Sequence, residues 1–350
     1  MTDSLDIVAI GGGTGLSTLL RGLKQHVGAS GPRSIAQLSA IVTVTDEGGS
    51  SGVLRKELSM LPPGDVRNCI VALAEEEQLL SRLFNYRFDG DTTLGGHSLG
   101  NLLLAAMTEI MGGFDHAILA ASEVLKIRGA IYPSTLADVR LRATLVDGSV
   151  LVGETAISGE HLVGSPAPEH ARIAHLAIDP PDAEPLDAAL DAITHADLVV
   201  IGPGSLYTSV LPNLVIRKIG ESLRSSSALR VYIGNIMTQP GETDGYTAAD
   251  HLRVVLDHAG PVVDAMIVNS GVPSKEILAS YTAQNQFPVV SDLATIRDLG
   301  VTPFPSDARG MGAFVRHDAG ALTDSLFRLY ERYGSQNSAT SVADGHAAGN

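Results

Sequence analysis

At 350 residues, with 44% apolar and 18% charged side chains, the chain can bury a sizeable core, as one large α/β domain with an excursion or as two domains. A formal charge of −15 and an aromatic content of 4% without tryptophan exclude a surface built to neutralise a nucleic-acid backbone or to stack bases. The single cysteine, Cys69, excludes an internal disulfide and a multi-cysteine metal site; no run approaches the roughly twenty apolar residues of a membrane span and no secretory signal opens the chain, so a cytoplasmic location is expected.

Strand-like runs alternate with helix-like runs, the pattern of a mostly parallel open sheet with helices on both faces. Asp6 to Ile10 reads as a strand leading into Gly11-Gly12-Gly13-Thr14-Gly15 and a helix from Leu16 towards Gln25. Ala40 to Thr45 is a second strand, running into Asp46-Glu47-Gly48-Gly49-Ser50-Ser51-Gly52. Pro62-Pro63-Gly64-Asp65 opens an apolar helix, and Gly95 to Asn101 precedes another, Leu102 to Met111. From Val139 to Glu154 the period changes to two around Asp147-Gly148, which predicts a hairpin on a type I′ turn. Ser158 to Pro185 shows no clear period, and about 133–185 is expected to form an insertion or cap. The α/β pattern resumes with strands at Asp197 to Ile201, before Gly202-Pro203-Gly204-Ser205, and at Leu229 to Ile233, Ala265 to Asn269 and Pro288 to Ser291. A helix over Leu322 to Arg332 ends a single domain of 1–334, and a disordered tail is expected at 335–350.

Ligands of open α/β sheets sit beyond the carboxyl ends of the strands, where helix N-termini point unpaired N–H groups outward. Glycine there lets a phosphate approach the backbone. The first loop lacks the third glycine of the dinucleotide fingerprint and the lysine of a P-loop, which demotes a dehydrogenase or a P-loop ATPase. Asp46 still stands where a ribose hydroxyl would be bound, so NAD binding stays as a minor alternative. Two G-x-S-x-G matches, around Ser50 and Ser98, raise serine hydrolysis; the second lacks a strand, and Asp46 and Glu47 oppose an oxyanion at the first. Asp46 and Asp65 are the best candidates to hold Mg²⁺ beside a phosphate, although Asp65 also reads as a helix N-cap. The histidines show no metal-binding spacing, and Cys69 reads as a core residue.

Taken together, Gly11 to Ser17, Asp46 to Gly52, Pro62 to Asn68, Gly96 to Asn101, Gly202 to Ser209 and Met237 to Thr243 closely resemble the YvcK-like gluconeogenesis factors, a branch of the CofD-like superfamily. The resemblance runs from about Asp6 to Tyr330. It implies a Rossmann-like fold and a cytoplasmic protein needed for cell shape and wall synthesis during gluconeogenic growth. It further implies binding of a UDP-sugar, notably UDP-N-acetylglucosamine, without established turnover, and a tyrosine and an arginine that hold it, matching Tyr281 and Arg316. The sister branch transfers a 2-phospholactyl group from a guanosine diphosphate donor with a metal held by aspartates, where Asp46 and Asp65 fall. A pair commonly Asp-Asp in that superfamily reads Asp46-Glu47 here.

The expected ligand contacts are therefore Gly12, Gly13, Thr14, Gly15, Asp46, Gly49, Ser50, Asn101, Gly202, Gly204, Ser205, Asn235, Tyr281 and Arg316. No cofactor is required; Mg²⁺ on Asp46 and Asp65 belongs to the transferase alternative. A UDP-sugar and a protein partner in cell-wall precursor supply are the expected partners, nucleic acid and membrane are not, and homo-oligomerisation is left open.

Overall fold

A computed structural model describes residues 4–75, 77–90, 92–159, 171–310 and 314–344. Ten strands form two sheets: β1 (Leu5–Gly11), β2 (Ile35–Val42), β3 (Ala130–Pro133), β4 (Arg140–Leu145), β5 (Val150–Val152), β6 (Ile173–Asp179), β7 (Leu198–Ile201), β8 (Leu229–Ile233), β9 (Ala265–Asn269) and β10 (Thr302–Ser306). Seven of them make a parallel sheet in the order β10-β9-β8-β7-β1-β2-β3, as the alternating pattern predicts. The central strands read as unbroken apolar runs because both faces are covered: every residue of β7 is buried, as are Ile7 to Gly11 of β1.

From β1 the chain steps outward through β2 to β3, and then returns to the other side of β1 to build β7, β8, β9 and β10. The direction of winding therefore reverses between β1 and β7, and a crevice opens beyond their carboxyl ends. The helices that bear on it are α1 (Gly13–Leu23), α2 (Gly49–Leu58), α3 (Gly64–Leu73), α4 (Glu77–Phe84) and α5 (Leu99–Met111). Cys69 lies buried in α3, as expected of a core residue.

Several expectations are corrected. The excursion after β3 holds a three-stranded antiparallel sheet, β5-β4-β6, and not a hairpin alone; β6 falls in the stretch read as without period, of which 160–170 lies outside the described residues. Its pairing with β4 is long-range, so no local alternation announces it. The hairpin turn is not type I′, which needs positive φ at both central residues. Only Gly148 has positive φ, +85°, and Gly148 N–H donates to Leu145 O at 3.0 Å, while Asp147 Oδ1 accepts from Ser149 N at 2.9 Å.

Pro288 to Ser291 is not a strand and makes only single bridges to Met237 and Thr247. The sheet instead ends in β10, where Pro303 and Pro305 are two residues apart and so turn their missing N–H groups to the same open edge. The last helix is Ala319–Asp344, and of the tail expected at 335–350 the residues 345–350 lie outside the described residues.

Candidate functional site

β1 ends at Gly11 and α1 starts at Gly13, with no side chain capping that helix. Opposite it, Gly202 N–H donates to Ile10 O at 2.8 Å and ties the 202–205 loop to the end of β1. The two loops touch because residue 15 is glycine: a β-carbon there would overlap the Pro203 carbonyl. A cavity of about 240 Å³ opens above this contact, lined among others by Thr14, Gly15, Gly204, Ser205, Asn235 and Arg316. Asn235 Nδ2 donates to Gly204 O at 3.0 Å and Gln239 Nε2 to Ser205 Oγ at 2.6 Å, so the turn after β8 braces the turn after β7.

Arg316 is exposed, its guanidinium 5.5 Å from the centroid of the Phe314 ring. Its neighbour His317 bonds to the Gly234 backbone, and burial pushes its imidazole down to about 4, so it stays neutral near pH 7 and leaves the positive charge of the wall to Arg316. Tyr281, on the helix Lys275–Thr282, is not a wall residue of this cavity. Its hydroxyl accepts the Val315 N–H at 2.9 Å, immediately ahead of Arg316.

The remaining candidates gather in a second cluster. Asp65 is the second residue of α3 and not its N-cap, which is Pro63. Its carboxyl accepts the Gly13 N–H and packs against Gly12, where a β-carbon would fall 2.6 Å from Oδ2. Burial, and then the neighbouring Asp46, raise it to about 7, while the Gly13 N–H and Arg67 act in the opposite sense. Asp46 Oδ1 accepts Gly48 N–H at 2.9 Å. Asn101 Nδ2 donates to Ser51 Oγ at 3.3 Å, and Ser50 Oγ lies 3.2 Å from His97 Nδ1. Gly49, Ser50 and Asn101 thus sit beside the acidic pair and outside the lining of the first cavity, with Gly12, Gly13 and Asp65 as the seam between the two.

Glu47 turns away from this pair. Its Oε2 accepts Glu154 N–H at 3.1 Å, Glu154 Oε2 accepts Glu47 N–H at 3.2 Å, and Arg55 Nη1 lies 3.8 Å from Glu47 Oε1. The longer side chain spans the gap to the short helix Glu154–Ser158 that follows β5, which accounts for glutamate in place of a second aspartate. Among the described residues no three His, Cys, Asp or Glu side chains converge to hold a metal, whereas Mg²⁺ needs only one or two carboxylates when ligand phosphates complete its shell. The Ser50–His97 contact lacks a described carboxylate on the imidazole, so it does not assemble a hydrolytic triad. Sequence reading passed over Arg67, whose Nη1 donates to Ser98 Oγ at 2.6 Å and to Asn101 Oδ1 at 3.2 Å; its place two residues after Asp65 was the available signal.

A family model described as 2-phospho-L-lactate transferase CofD matches residues 7–308, a span that contains both clusters and stops short of Arg316. The chain belongs to the CofD family. Within the family it groups with proteins named gluconeogenesis factor: it is 46% identical to that of Bacillus subtilis over 297 residues, 84% of this chain and 88% of that one. It is 48% identical to that of Halalkalibacterium halodurans over 299 residues, covering 85% and 87% of the two chains. A crystal structure of a UPF0052-family protein from Bacillus halodurans matches with a TM-score of 0.85 at 44% identity, over 93% of this chain and 99% of that one.

Proposed function

We propose that the chain is a regulatory protein that binds a nucleotide sugar, UDP-N-acetylglucosamine, in the crevice between the ends of β1 and β7, without turning it over. The observation that carries this reading is the cavity itself: an uncapped helix N-terminus and a second glycine loop supply backbone N–H groups, and Arg316 supplies one local cation. Such a site suits a diphosphate on a chain of net charge −15, where no global positive field assists. At about 240 Å³ the cavity is smaller than the ~300–1,000 Å³ usual for a whole drug-sized ligand. It fits the diphosphate and one flanking group, with the rest extending along the crevice. No cofactor is needed, and the setting is cytoplasmic, in the supply of cell-wall precursors and cell shape during gluconeogenic growth, with a protein partner as the output.

Isothermal titration tests the reading, with micromolar affinity expected for UDP-N-acetylglucosamine, about −8 kcal/mol. No heat with millimolar ligand, while a guanosine diphosphate compound or NAD binds well, rejects it.

A second reading, a metal-dependent transferase with a guanosine diphosphate donor, is favoured by the juxtaposition of Asp46 and Asp65. Under the regulatory reading, chelating divalent ions shifts UDP-sugar affinity by less than about threefold, below roughly 0.7 kcal/mol. Mg²⁺-dependent release of UDP or UMP, lost in Asp46→Asn, decides for an enzyme.

A further inference from the structure

The inserted sheet has an end strand, and a histidine from outside the insertion closes it. β6 stands last in the order β5-β4-β6 and pairs with β4 alone. The Leu176 N–H of β6 is not spent on β4; it is donated to His258 Nε2 at 2.9 Å. His258 lies in the last turn of the helix Ala248–Ala259. An end strand carries N–H groups that need partners, and the imidazole supplies one.

This bond exists in one protonation state only. Nε2 accepts when it carries no proton, so the ring hydrogen sits on Nδ1 and is donated to the Val254 carbonyl at 2.7 Å. A second proton turns Nε2 into a donor that faces the Leu176 N–H, and the bond is lost.

The surroundings also disfavour the charged ring. His175, on β6 itself, stacks on His258 with centroids 5.0 Å apart and planes 5° from parallel. Arg217 and Arg224, on the helix Arg217–Ser225, line the same cleft of about 300 Å³, and no carboxylate is among its lining residues. Arg217 bonds to Glu221 on its own helix at 3.1 Å, and Arg224 Nη1 donates at 2.6 Å to the carbonyl of Ala259, the residue after His258. Asp257, the residue before it, favours the charge. Burial foremost, with the His175 ring, pushes His258 below its ordinary 6.5 against the pull of the Val254 carbonyl and Asp257.

We propose that His258 is a pH-sensitive clasp: neutral, it holds the outer edge of β6 to the helix Ala248–Ala259, and protonated, it lets that edge go and frees the inserted sheet to move about its root. The root is held separately, by the Thr135 hydroxyl on the Glu184 carbonyl at 2.6 Å. The short helix after β5 is held by the reciprocal Glu47–Glu154 bonds, and Glu47 adjoins Asp46, so the movement is delivered to the loop that carries one of the acidic pair. The neutral ring's contribution is fully present above the ordinary 6.5 and is lost as pH falls from there through the lowered value.

Hydrogen exchange of the full chain, read by mass spectrometry from about pH 7.5 down to about pH 5 and corrected for the intrinsic rate, tests the clasp. Protection of residues 173–179 should fall by about fivefold or more over that range, while β1 and β7 keep theirs. His258→Gln offers a neutral amide oxygen to the same N–H and should keep β6 protected throughout. His175→Phe keeps a stacked ring without its charge, so release of β6 should move to higher pH. Protection of β6 that is constant with pH in the parent, or that falls equally in His258→Gln, overturns the proposal. So does a loss spread evenly over the chain, which is unfolding and not release. The titration of the His258 ring in the parent, followed by nuclear magnetic resonance, needs no variant: it should lie below 6.5 and coincide with the exposure of β6, and a midpoint above 6.5 overturns the clasp.

Discussion

The hydroxyl of Tyr281 accepts the Val315 N–H, so this tyrosine holds the strand of chain that presents Arg316. A neutral hydrogen bond contributes about 0.5–1.5 kcal/mol net, so Tyr281→Phe should weaken UDP-N-acetylglucosamine binding by roughly two- to tenfold. Arg316→Ala should cost about tenfold or more. If Tyr281 acts through Arg316, the double variant should be no worse than Arg316→Ala alone, whereas additive losses by calorimetry show that Tyr281 touches the ligand itself. Asp65 makes a pH prediction at the same scale. Its carboxyl is raised to about 7 in the fold from an ordinary value of 3.8. The folded chain therefore binds the proton more tightly than the unfolded chain, so this group's contribution is fully present below about pH 4 and is lost as pH rises through about 7. Asp65→Asn cannot ionise, and its melting temperature relative to the parent should rise from about pH 4 upward and level off above about pH 7. A gap that stays flat over that interval, measured without divalent ions, shows that Asp65 is ionised throughout.

At the scale of elements, the site depends on how closely α1 approaches the loop after β7. Gly15 sits against the Pro203 carbonyl, a backbone atom that cannot rotate aside. Gly15→Ala should push the two loops apart, costing about 1–3 kcal/mol of stability as an overpacked contact and removing nucleotide binding even where the protein still folds. Thermal unfolding and ligand titration on the same sample check this, and unchanged values in both would show that the loops yield. The short helix Glu154–Ser158, which follows β5 in the insertion, is tied to the same region through Glu47 and Glu154, whose side chains bond reciprocally to each other's N–H groups. This explains why the longer acidic residue follows Asp46, while Asp46 itself stays with Gly48 and Gly64 at the heads of α2 and α3.

For the molecule as a whole, a net charge of −15 would oppose the approach of the proposed anionic nucleotide, while Arg316 would attract it only at short range. Salt screens the long-range repulsion more than the contact, because the Debye length falls from about 10 Å at 0.1 M to about 3 Å at 1 M. The association rate for UDP-N-acetylglucosamine should therefore rise with sodium chloride up to about 0.5 M, by less than an order of magnitude. A steep fall, measured by stopped flow, would mean that a positive surface steers the ligand.

The sequence by itself determined the α/β class, the central strands, the glycine loops at their ends and the family, because each of these is written locally: a buried parallel strand must be apolar throughout, and a loop that meets another backbone must be glycine. The strands at 198–201, 229–233 and 265–269 were legible for that reason. β6 and β10 were not, since β6 owes its place to a partner about thirty residues away and β10 carries prolines that only an edge position tolerates. The candidate residues were legible one loop at a time, but their division into a cavity between the β1 and β7 loops and a second, acidic and basic cluster was decided by tertiary structure alone. That division depends on which strand ends lie side by side, on Asp65 crossing from α3 to Gly13, and on Glu47 reaching out to the short helix after β5. Spacing along the chain does not encode these contacts, because they join residues that only the winding order brings together.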